Sequence, residues 1–137
     1  MKAKRLFPFF YVVISMITLT LPASARASDQ LRDYWMNAGT SNGQIFVEFS
    51  VKGQRIMNRI GCENIVVYED ANGQWNKVAS LDEDDSGMSG VNSRSFGNTI
   101  YIDGDNGRSY KVVVAIFAED NNGRDSREET FYVVCKA

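Results

Sequence analysis

The chain has 137 residues and no histidine, which removes whole classes of chemistry before any fold is considered. A serine or cysteine nucleophile activated by an imidazole is excluded, and so is any metal site built on one. Two cysteines remain, Cys62 and Cys135, and neither has a base to activate it as a nucleophile. Seventeen carboxylates remain as well. Two of them set several ångströms apart could hydrolyse a glycoside, but none stands in a distinctive context. The expectation is a protein that is not an enzyme.

Three residue groups could still bind something. Asp103-x-Asp105-Asn106-Gly107 places oxygen donors at alternating positions before a glycine, like the front of a calcium loop. It lacks the later bidentate glutamate, and Asp and Asn before Gly are equally what a tight turn uses. Calcium at Asp103, Asp105 and Asn106 is therefore one reading and a plain turn the other, and no other cofactor is implied. Tyr34, Trp35, Trp75, Tyr101 and Tyr132 offer flat rings of the kind that pack on sugar faces, and offer equally a core and a sheet edge. The third group is a set of bulky residues near the carboxyl end, described below.

The elements that must position these groups begin after an export signal. Lys2, Lys4 and Arg5 precede an apolar run over 7–21, and Ala23-Ser24-Ala25 and Ala25-Arg26-Ala27 follow as small-residue cleavage sites. The run is short for a membrane span, which needs about 20 residues. The division is thus a signal over 1–27 and a single domain over 28–137, with no membrane span after cleavage. That domain carries 11 basic and 17 acidic residues, a net charge of −6 against −2 for the whole chain. Scattered basic residues on an acidic domain argue against a nucleic-acid partner. The location expected is secreted, extracellular or at the cell surface. In such a protein an isolated cysteine pair is most simply a disulfide, Cys62 to Cys135. Closing a loop of about 70 residues would contribute a few kcal/mol.

Period-two alternation and turn residues predict about seven short strands: 29–38, 44–51, 63–69, 75–80, 96–102, 110–118 and 129–136. The clearest is 44–51, with Ile45, Val47, Phe49 and Val51 on one face and Phe46, Glu48 and Ser50 on the other. Gly53 to Gly61 carries Ile56, Met57 and Ile60 at helical spacing and predicts a helical turn or compact loop. Asp82 to Arg94, with four consecutive carboxylates and two glycines, predicts a mobile loop. The last two strands form a hairpin about Asn121-Asn122-Gly123 and are bulky on both faces. One face must meet the core; the other is either shaded by loops or a contact surface.

The order of these elements resembles a fibronectin type III or immunoglobulin-like sandwich. The likeness rests on Tyr110 after the Asn106-Gly107-Arg108-Ser109 loop, the Val112–Ala118 run, a Gly-containing hairpin and Ser126 before the last strand. The chain is also similar to small exported proteins of Gram-positive gut bacteria. That likeness rests on Ile60-Gly61-Cys62-Glu63-Asn64-Ile65, on Gly73 and Trp75 in a tightened hairpin, and on Gly107 to Tyr110. It implies export and fold, and no activity. The sandwich also raises an objection to the disulfide. If the third and last strands run parallel in one sheet, Cys62 starts one and Cys135 ends the other, about 33 Å apart over ten residues, whereas a bridge needs Cα atoms within about 7 Å.

The function expected is a non-catalytic binding module that contacts a protein, or itself, through Val113, Phe117, Tyr132, Val134 and Tyr68. A carbohydrate-binding module and a calcium-stabilised adhesion domain are the alternatives.

Overall fold

A computed structural model describes residues 28–136, so the expected signal over 1–27 lies outside the described residues. The chain is all-β: β1 (Leu31–Ser41), β2 (Gln44–Ala71), β3 (Gln74–Asp82), β4 (Ser89–Asp103), β5 (Ser109–Asp120) and β6 (Gly123–Val134). Every pairing is antiparallel, and the strands form one six-stranded sheet. No helix among the described residues is long and apolar enough to cross a membrane.

The spine is β2, 28 residues long. Drawn straight it would run roughly 90 Å, several times the width of a domain this size. It bends instead, at register shifts between Lys52 and Met57 against β4 and between Cys62 and Asn64 against β5. A bulge of this kind adds local twist and re-aims the strand. The first half of β2 lies between β1 and β4, and the second between β3 and β5, with β6 beyond β5. Bending the shared strand curls the whole sheet until β1 meets β5 and β6.

Two expectations fail here for one reason. Residues 53–61 are neither a helical turn nor a loop: they are the extended bend of β2. Met57 and Ile60 are fully buried there, while Ile56 is 62% exposed, so the helical spacing of these residues came from a bulge. The strands expected at 44–51 and 63–69 are therefore one strand, and six strands replace about seven. Because β2 belongs to both halves, the fold is a curled sheet closing on its own concave side rather than two separate stacked sheets.

The turns follow their residues. Asn42-Gly43 and Asn72-Gly73 both have positive φ at both positions (53° and 77°, 56° and 85°). That is the geometry two-residue hairpins need to match strand twist. The concave side takes Ile45, Val47, Phe49 and Val51 from β2, and Val112, Val114, Ile116 and Ala118 from β5. Ile100, Ile102, Phe131 and Val133 close it from the neighbouring strands. Alternation thus assigned these strands correctly.

The expected disulfide is not present. Cys62 and Cys135 are both buried free thiols. Cys62 pairs with Ile116 near one end of β5, while the Cys135 N–H bonds to Arg108 O at the other. Eight residues of β5 separate those points, about 26 Å. Both β2 and β6 run antiparallel to β5, so they run parallel to each other, and the strand-length objection holds.

Candidate functional site

Side chains at alternate positions leave the core for the convex side, where each half of the sheet presents its own face. On the second half, register aligns Tyr132 on β6 with Lys111 on β5, and Lys111 with Tyr68 on β2. Trp75 enters from β3, at the far edge. Its ring and that of Tyr132 converge across the two central strands, with centroids 5.9 Å apart and planes tilted by 50°. Lys111 Nζ sits beneath them, 4.6 Å from the Tyr68 ring and 5.5 Å from the Trp75 ring. Cation–π contacts of this kind are worth about 0.5–1 kcal/mol at exposed sites. Tyr132 is 69% exposed and Val134 47%. Val113 and Tyr68 are half-buried on the same face.

Four of the five expected contact residues, Val113, Tyr132, Val134 and Tyr68, thus share one surface. The fifth, Phe117, points outward but is fully buried, and cannot contribute contact area. The Arg124 guanidinium lies 4.1 Å over its ring. Arg124 binds both oxygens of Glu83, at 2.6 and 2.9 Å, and also reaches Glu119 at 2.9 Å and Glu63 at 3.3 Å. Arg59 joins Glu83 at 2.9 Å and pairs with Asp84. The bidentate hydrogen bond from Arg124 holds the Glu83 carboxyl below the usual glutamate range and raises Arg124 above its ordinary value.

This latch also corrects the mobile loop expected at 82–94. Met88 is fully buried, its carbonyl accepts the Cys62 N–H at 2.7 Å, and β4 begins at Ser89. The carboxylates of Asp82 and Asp85 cap backbone N–H groups within the turn. Gly61 permits the approach: a β-carbon there would stand 2.4 Å from Met88 O.

On the first half of the sheet the convex side is different. Gly39, Phe46 and Tyr101 lie side by side in register, and Asn37, Glu48 and Thr99 form the next row. The tip of the Phe46 ring fills the space a β-carbon on Gly39 would need, 2.6 Å away. Tyr101 is 60% exposed and Trp35, one row further, 51%. A groove of about 340 Å³ runs over Phe46, Glu48, Thr99 and Tyr101 to the Ser41-Asn42 turn. The five rings considered for sugar stacking are therefore divided. Trp35 and Tyr101 lie here, Trp75 and Tyr132 lie on the Lys111 face, and Tyr34 stands opposite Val51 at the rim of the core side.

The residues of the Asp103–Gly107 motif take part in the hydrogen bonds of their own turn. Among the described residues no three Cys, Asp or Glu side chains come together as metal ligands. The Asp103 carboxylate accepts from Gln44 Nε2 at 3.1 Å, and the Asp105 N–H donates to the Tyr110 hydroxyl at 2.7 Å. Asn106 is exposed in the turn. The motif serves the turn that admits Tyr110, whose hydroxyl donates onward to Glu69 at 3.2 Å. Burial pushes the Tyr110 phenol up.

The residues that sequence reasoning missed are Lys111, Arg124, Glu83 and the Phe46–Glu48 pair. Lys111 had a visible signal, a lone cation inside an apolar strand. Arg124 and Glu83 had none, because 41 residues separate them.

No protein-family model matches the chain, and no curated protein does. Among solved structures, the crystal structure of the sporulation control protein Spo0M from Bacillus subtilis is similar over 79% of this chain, at 10% sequence identity and a TM-score of 0.45. The chain spans about half the length of that protein.

Proposed function

We propose that the chain is a non-catalytic, exported binding module that docks a protein at or outside the bacterial surface through the face around Lys111. The observation that carries this reading is Tyr132, left 69% exposed yet braced by Trp75. Tyrosine and tryptophan held rigid at a surface are the residue types that anchor protein interfaces, because little side-chain freedom is lost on binding. Val134 and Val113 extend the apolar area around them.

Lys111 makes no ion pair among the described residues. A partner carboxylate would meet a cation already framed by rings. The same charge weighs against self-association, since a two-fold interface centred on this face would bring two Lys111 ammonium groups together. The fibronectin-like reading keeps one support, the Tyr110 hydroxyl bonded to a backbone N–H five residues upstream.

Affinity capture from the culture fluid and surface extract of a secreting cell tests the proposal. A protein retained by wild type should be lost with Lys111→Glu and with Tyr132→Asp, while circular dichroism stays unchanged. Retention of the same proteins by both variants would refute it.

A further inference from the structure

We infer that the groove across β1, β2 and β4 is a binding site for a neutral oligosaccharide, separate from the Lys111 face. A sugar ring offers two kinds of surface: flat patches of C–H groups and a rim of hydroxyls. A site that recognises it needs aromatic rings for the first and uncharged hydrogen-bonding groups or carboxylates for the second.

The groove supplies both: the rings of Phe46 and Tyr101, and the polar groups of Ser41, Asn42, Gln44, Glu48 and Thr99. Phe46 and Tyr101 are register partners and make an aromatic row. Asn37, Glu48 and Thr99 follow as a polar row, and Trp35 stands in the next, beside Ser50, whose other neighbour is Gly97. Successive rows are two residues apart, about 6.7 Å along the strands. Trp35 lies one row beyond the lining, so the rings that would stack on a sugar are Phe46 and Tyr101.

The lining weighs against anionic ligands. It holds no Lys or Arg, so polyanions have nothing to bind. Glu48 makes no ion pair among the described residues. Its carboxylate is free to accept hydroxyl hydrogen bonds and repels a uronate or sialate. Gly39 is the positioning residue: its missing side chain lets Phe46 lie over β1 and opens the groove towards Tyr101.

Isothermal titration calorimetry of the protein should show binding of neutral gluco-, xylo- or manno-oligosaccharides at millimolar concentration, and none of oligogalacturonate. Tyr101→Ala, at an exposed position that keeps the fold, should weaken binding about tenfold. Glu48→Gln should admit the acidic oligosaccharide, and Lys111→Glu should change nothing. The inference falls if no neutral oligosaccharide binds, if oligogalacturonate alone binds, or if binding survives Tyr101→Ala undiminished. Lys111→Glu keeps this outcome distinct from the fate of the protein-docking face.

Discussion

Cys62 shows how far a residue's neighbours can move its chemistry. Its thiol donates to the carbonyls of Ala115 and Asn64 at 3.3 and 3.4 Å and is fully buried. Burial, as the main cause, pushes its pKa up to about 12. The thiolate is the reactive form, so at pH 9 only about one thiol in a thousand would be ionised. Iodoacetamide at pH 9 should leave Cys62 unlabelled in the folded protein and modify it rapidly in denaturant, where free cysteine ionises near 8.5. The intact mass should be unchanged by reductant. Labelling of native protein at the rate of a free thiol would contradict the buried position. The sequence made both cysteines visible but could not pair or separate them. That question turned on which strands run parallel, a property of topology rather than of any residue's neighbours in the chain. Phe117 was misread for a related reason: alternation sends it to the convex side, but the Arg124 guanidinium, held by the distant Glu83, lies over its ring.

At the level of elements, the latch joins the β3–β4 turn to the β5–β6 hairpin through Glu83 and Arg124. Glu83 titrates below the ordinary glutamate value because Arg124 binds its ionised form. A group with a depressed folded pKa stabilises the fold above its unfolded pKa, and that contribution is lost as the pH falls through the folded value. Glu83→Gln should therefore cost about 1.5 kcal/mol near neutral pH. The gap to wild type should close as acid protonates Glu83 in both states. Urea melts between pH 7 and pH 3 measure it, and a gap that stays constant across that range would remove Glu83 from the acid response. The strands themselves were legible, since period-two alternation fixed Ile45–Val51 and Tyr110–Ala118 and the Asn-Gly pairs fixed two turns. Residues 53–61 were not, because a bulge shifts the register and leaves apolar residues at spacings that imitate a helix. Nor was the latch, because charged residues scattered along a sequence say nothing about their partners.

For the whole molecule, the decisive feature is that one strand serves both halves of the sheet. Two sheets joined only by loops could come apart in separate steps. Here the residues that hold β1 and β4 on the first half of β2 continue without a break into those that hold β3 and β5. Met57 and Ile60, at the bend, are fully buried in the common core. Freeing either half exposes the bend, so the cost of partial opening approaches that of complete unfolding. Each half carries one tryptophan: Trp35 on β1 and Trp75 on β3. Trp75→Phe and Trp35→Phe therefore give reporters on the two halves separately. Fluorescence-detected urea unfolding of the two variants should give the same midpoint, once corrected for each substitution's own effect by circular dichroism, and a single transition in each case. A transition that Trp35 reports well before Trp75, or the reverse, would mean that the bend does not couple the halves and that the two faces behave as independent units.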